Sequence, residues 1–125
     1  DAFGAIARAR DAAVQLVEGR AAGAREVRGF EVDAAARGVL QEAGFGAAIL
    51  HRTGHSLGES VHGNGVHMDD YETHDDRLIL PGAGFTVEPG LYFEAFGVRT
   101  EINVYRAEHE ALVTGPRQQH VVTLV

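Results

Sequence analysis

The stretch His51-Arg52-Thr53-Gly54-His55-Ser56-Leu57-Gly58, followed by His62, decides how the chain is read. Gly54 and Gly58 permit a tight loop that presents the His55 imidazole with its lone pair outward. Two later blocks add carboxylates, Phe85-Thr86-Val87-Glu88-Pro89-Gly90 and Val98-Arg99-Thr100-Glu101. Imidazole and carboxylate are the donor types that a hydrolytic divalent-metal site uses.

Outward from these blocks, hydrophobic spacing predicts the frame that carries them. Phe3, Ile6, Ala9, Ala13, Leu16 and Val17 recur at intervals of three and four, an amphipathic helix expected to end at Gly19. A second helix is expected from Arg25 to Ala43, with Gly44 as its terminator. The short apolar run Ala47-Ala48-Ile49-Leu50 reads as a buried strand entering the His51 block, and Gly54 to Pro81 reads mostly as loop.

Strands are expected at Gly84–Glu88, Leu91–Phe93 and Val98–Tyr105. In the last, Val98, Thr100, Ile102 and Val104 alternate with Arg99, Glu101, Asn103 and Tyr105, so Arg99 and Glu101 point the same way. Ala111–Val113 is a further candidate before the Thr114-Gly115-Pro116 turn, and a final strand is expected over His120–Val125. Two helices followed by antiparallel strands is an α+β order, and the absence of repeats or linkers gives one domain over residues 1–125.

Composition narrows the function classes. With 125 residues, 45% of them hydrophobic, the chain builds one small core. A formal charge of -7, with every basic residue an arginine, argues against a nucleic-acid partner. The absence of cysteine removes disulfides, thiolate ligands and a thiol nucleophile together. No apolar run is long enough for a membrane span and no signal-peptide pattern is visible, so cytoplasmic residence is the expectation.

Taken together and in order, the three blocks resemble the pita-bread metallopeptidases, and more narrowly the Xaa-Pro dipeptidase (prolidase) and Xaa-Pro aminopeptidase branch. The resemblance implies a half of the pita-bread fold, two helices packed on an antiparallel sheet. It also implies two divalent metal ions, manganese first and cobalt, zinc or iron after it, held by five ligands in the order Asp, Asp, His, Glu, Glu. His55 matches the histidine, Glu88 the first glutamate and Glu101 the bridging one. The aspartates would precede Asp1, so the chain corresponds to the C-terminal half of the catalytic domain and is expected to be inactive alone.

By the same resemblance, Glu88 is both metal ligand and proton shuttle, and His62 is a catalytic residue at the scissile carbonyl that also contacts substrate. His51 and Arg99 match substrate-side positions. The implied partners are an Xaa-Pro peptide and either the N-terminal half or a second copy of the chain, as in a homodimer. His67, His74, His109 and His120 match no ligand, and Asp69, Asp70, Asp75 and Asp76 follow the histidine rather than precede it. Glu101 is followed by Ile102-Asn103, where many relatives carry paired aspartates. The competing readings are a non-catalytic peptide- or protein-binding module and a metal-free creatinase-like hydrolase; retention of His55, Glu88 and Glu101 counts against both.

Overall fold

The computed structural model describes residues 1–124. Helix α1 spans Ala2–Ala22, with the Asp1 carboxylate accepting from the Gly4 amide as its N-cap. It runs through Gly19, past the expected end. Gly19 costs about 1 kcal/mol relative to alanine, but the buried Val17 and Ala21 keep the helical spacing on either side of it. The chain then closes through the Arg25 amide on the Arg20 carbonyl.

Helix α2 spans Gly29–Glu42 and starts four residues later than expected. Segment 25–28 is extended instead. The Ile79 amide bonds the Val27 carbonyl, and the Gly29 amide bonds the Arg77 carbonyl, so tertiary pairing overrides local helix propensity. The Glu31 carboxylate caps the start by accepting from the Arg28 amide. Gly44, at φ +88°, ends α2 as expected, with the Phe45 amide returning to the Leu40 carbonyl.

The expected strand at Ala47–Leu50 is a 3-10 turn over Gly46–Ala48. A four-residue apolar run does not discriminate strand from other buried backbone, and alanine is a poor strand former. Ile49 serves as a buried anchor leading into the His51 block.

The strands are β1 Ser56–Leu57, β2 Gly84–Val87, β3 Gly90–Tyr92, β4 Gly97–Arg99, β5 Ile102–Arg106 and β6 Ala111–Val113. One antiparallel sheet has the order β1-β2-β5-β6, and β3 pairs with β4 in a second. The expected single strand over Val98–Tyr105 is therefore two, because the chain leaves one sheet and enters the other at Thr100-Glu101. The register nevertheless continues unshifted from Gly84↔Tyr105 and Val87↔Ile102 to Gly90↔Arg99 and Tyr92↔Gly97.

Residues 120–124 form no strand and are exposed; Val125, the last residue of the expected strand, lies outside the described residues. The tail crosses α1 instead of extending a sheet, held by Arg10 donating to the Gln118 carbonyl and by the Arg117–Asp11 pair. Ile6, Ala13 and Val17 of α1 and Val32, Ala36 and Leu40 of α2 form one core with Phe85, Val87, Ile102 and Val104 of the sheet. Strand β5 buries Ile102, Val104 and Arg106 and exposes Asn103 and Tyr105, whereas β2 is buried at Phe85, Thr86 and Val87 in succession, so its second face is covered as well.

The loop between β1 and β2 is held by buried carboxylates. Asp69 accepts from the Tyr71 and Glu72 amides, and Asp75 accepts from the His67 amide and the Arg77 amide and guanidinium. Burial alone would push the Asp75 carboxyl up, but the bonds from Arg77 and His67 hold it down at about 2, below its usual 3.8. A depressed folded-state pKa adds stability above the unfolded value, and that stability is lost as pH falls through the folded one. The advantage of the native protein over Asp75→Asn should thus be full at neutral pH and shrink by about 1–2 kcal/mol between about pH 4 and pH 2. Urea titrations across that range check it; a constant difference would show that Asp75 is not held as charge.

A candidate metal centre on the open sheet face

The continuous register places the centre. One step beyond Val87↔Ile102, Glu88 stands opposite Glu101, on the face away from the core. On the other side of β2, Ser56 pairs with Phe85, so His55 stands opposite Thr86. The bonds from the Thr86 amide to the His55 carbonyl (2.9 Å) and from the Glu88 amide to the Thr53 carbonyl (2.6 Å) extend this pairing past the end of β1. Three adjacent backbone segments thus bring an imidazole and two carboxylates together, with donor atoms of His55, Glu88 and Glu101 all within 4.8 Å of one another.

The two carboxylates occupy breaks between the sheets, not regular strand positions. Pro89 has no amide to donate after Glu88, but its carbonyl still accepts from the Thr100 amide (3.4 Å), so the chain runs on into β3 without a turn. Glu101 is the residue at which β4 hands over to β5. Arg99 and Glu101 both face Glu88, the guanidinium at 3.9 Å from its Oε1.

Thr86 fixes this arrangement from within. Its hydroxyl accepts from the His55 amide at 2.9 Å, and the residue is buried. The His55 ring is oriented by Nδ1 at 3.0 Å from the Ser56 carbonyl, so Nε2 is the free nitrogen, 3.3 Å from Glu88 Oε2. That Oε2 is buried and has no hydrogen-bond partner among the described residues.

Burial opposes ionisation of Glu88, yet hydrogen bonds from Glu101 and Thr86, with the charges of His55 and Arg99, hold its carboxyl below the usual range. Glu101 is pushed up, first by donating to Glu88 and then by burial and the Glu88 charge. Two facing carboxylates, one of them with the orphaned buried Oε2, and a free imidazole nitrogen are a donor set that could hold a divalent cation.

The other expected residues lie around it. His62 is exposed, with its ring 4.3 Å from that of His55. His51 makes its contacts apart from the cluster, Nε2 at 2.7 Å from the Tyr92 hydroxyl and Nδ1 at 2.6 Å from the Arg52 carbonyl. A side chain on Gly90 would meet both His51 and Tyr92, so this pair packs directly over the start of β3. Among the four histidines read as loop or surface, His67 is half-buried and its Nδ1 accepts from the Ser56 amide. Burial and the charge of Arg52 lower its pKa, keeping it the neutral acceptor that this bond needs. Asp69 and Asp75 are structural, as above, and neither joins the cluster.

Sequence reasoning missed Asp33. It is buried on α2, and its carboxylate accepts from the Thr53 amide and hydroxyl and from the Asp70 amide, with Arg37 at 2.8 Å. Since the Thr53 carbonyl receives the Glu88 amide, Asp33 anchors the segment that aligns Glu88. Its signal was an acidic residue on the helix stripe of the apolar Val32 and Ala36.

A polar centre of this composition, carried on a helix-backed antiparallel sheet, makes this an α+β protein with a candidate carboxylate-rich metal site. The chain belongs to metallopeptidase family M24, whose model matches residues 1–114. The probable dipeptidase PepE of Mycobacterium bovis is 37% identical over 94 residues, covering 66% of this chain and 24% of that protein. The Xaa-Pro dipeptidase of Lactobacillus helveticus is 36% identical over 72 residues, 57% of this chain and 18% of the relative. Among solved structures, recombinant prolidase from Thermococcus sibiricus superposes with a TM-score of 0.81 at 30% identity, over 98% of this chain and 31% of that enzyme. The fold is thus a half of the pita-bread architecture, as expected, and the chain spans about a quarter of the length of the curated relatives it matches. No helix among the described residues is long and apolar enough to cross a membrane.

Proposed function

We propose that the chain is the C-terminal, three-ligand half of the catalytic domain of a dinuclear metal-dependent peptidase that cleaves between an N-terminal residue and proline. The observation that carries this is Glu88 Oε2, a buried carboxylate oxygen without a partner, 3.3 Å from the free nitrogen of His55 and facing Glu101. His55, Glu88 and Glu101 would hold the ions, with manganese the first choice for an oxygen-rich set and cobalt, zinc or iron the alternatives. Bound, the ions supply Lewis acidity and acidify water.

The chain's own residues do the rest. Glu88, fixed by Thr86 and the Thr53 carbonyl, takes the proton from the attacking water and delivers it to the leaving amine. His62, exposed beside His55, donates a hydrogen bond to the scissile carbonyl as charge develops there. Arg99 and His51 lie on the substrate side, the first offering a cation over Glu88 and the second a ring locked by Tyr92. The names of the relatives support the prolyl preference.

Three ligands do not complete a two-metal site, so the chain alone with manganese should hydrolyse Xaa-Pro dipeptides negligibly. Joined to an N-terminal half that supplies two aspartates, it should show manganese-dependent release of proline, with Xaa-Pro favoured over Xaa-Ala by about a hundredfold. Chromatographic quantification of the released amino acids reads this. Equal turnover of the two dipeptides would remove the prolyl assignment, and absence of turnover in a metal-loaded assembly would leave a binding module.

A further inference from the structure

We propose that a second cleft, over Arg106 at the far end of β5, binds a small organic carboxylate with an apolar body. The cleft has a volume of about 280 Å³ and apolar walls from Val27, Leu78, Ile79, Leu80 and Pro81. Arg106 lines it and is only 5% exposed. Five residues of extended chain separate Arg106 from Glu101, roughly 16 Å at the rise of a strand, so the cleft is distinct from the metal centre.

The state of the guanidinium carries the argument. Arg106 Nη1 donates to the carbonyls of Ala107 (2.6 Å) and Glu108 (3.0 Å), but Nε is buried and has no acceptor. No carboxylate lies within ion-pair distance of Arg106 among the described residues. The contrast with the other arginines that bury an unpartnered nitrogen is direct: Arg10 is paired with Asp11 at 3.0 Å and Arg37 with Asp33 at 2.8 Å. A buried cation without a counter-charge is costly, and the planar guanidinium keeps one donor, Nη2, that is neither hydrogen-bonded nor fully buried among the described residues and can meet a carboxylate in the cleft.

The surroundings select the class of anion. Arg25 at the rim favours negative charge, while Glu26 and Glu108 oppose it from exposed positions, Glu26 lying 3.8 Å from Arg28 and Glu108 3.7 Å from the His109 ring. Those two glutamates disfavour a dianion such as phosphate and leave a single carboxylate as the better match. The aliphatic walls reward a hydrocarbon body, and the volume limits it to a few carbons.

The test is calorimetric titration of the 125-residue chain with butyrate in the presence of EDTA, which removes metal-bound carboxylate from the reading. The wild type should bind saturably at one site. Arg106→Lys, which keeps a charge but loses the fork, should bind at least about tenfold more weakly. Leu80→Trp, a rim position that is 59% exposed, should fill the cleft and abolish binding without touching the buried charge. If the lysine variant does not fold, the tryptophan variant decides alone. No saturable binding by the wild type, unchanged affinity in Leu80→Trp, equal binding of butylammonium, or the same heat from chloride alone would each overturn the proposal.

Discussion

His55→Ala and Glu101→Ala, made in the assembled two-half enzyme, should each lose metal and lower turnover by more than about a thousandfold, whereas His62→Ala should keep its metal and lose about a hundred- to a thousandfold in kcat. The separation follows from where the structure puts the three groups. His55 is buried and offers only Nε2, because Nδ1 faces the Ser56 carbonyl; Glu101 faces Glu88 across the end of the β2–β5 pairing. Removing either takes one of three donors that lie within 4.8 Å of one another. His62 is exposed, lies against the His55 ring and is not among the clustered donors, so its loss leaves the donor set whole. Metal analysis of purified variants beside steady-state kinetics gives both readouts. A metal-free His62→Ala with a fully loaded His55→Ala would reverse the two roles and remove the assignment of the whole centre.

The parts of the site that were legible in the sequence are those whose signal is local. Glu88 before Pro89-Gly90 marks the end of a strand, and the glycine-flanked His55 marks a donor in irregular backbone. The alternation through Val98–Val104 reads as one strand because the register with the facing chain is unbroken; only the choice of sheet changes at Thr100-Glu101, and that choice is tertiary. The same limit hid the extended segment at 25–28, which is fixed by pairing with residues 77–79 some fifty positions away. Asp33 and Thr86 escaped as supports for a related reason. Each acts by bonding the backbone of another segment, Asp33 at Thr53 and Asp70, Thr86 at His55, and a backbone partner has no side-chain identity to read.

The two glycines that flank His55 look alike in sequence but serve differently, and the difference predicts a large stability effect. Neither has the positive φ that favours glycine. Gly54 is glycine because the β2 backbone approaches it: a Cβ there would drive into the Thr86 carbonyl, while its own amide and carbonyl are both committed to Met68. A clash with backbone inside two ladders of hydrogen bonds cannot be relieved by rotating a side chain. Gly54→Ala should therefore cost roughly 3–5 kcal/mol, a large share of the 5–15 kcal/mol that typically holds a domain together. The same shift would move His55 away from Thr86 and so weaken metal binding in whatever fraction still folds. At Gly58 an added Cβ meets nothing within 4 Å, so Gly58→Ala should be neutral or stabilising by up to about 1 kcal/mol, through loss of freedom in the unfolded chain. Urea denaturation of the two variants side by side decides the matter: equal midpoints would mean that the approach of Thr86 to Gly54 is not tight, and the alignment of His55 with Glu88 would then need another cause.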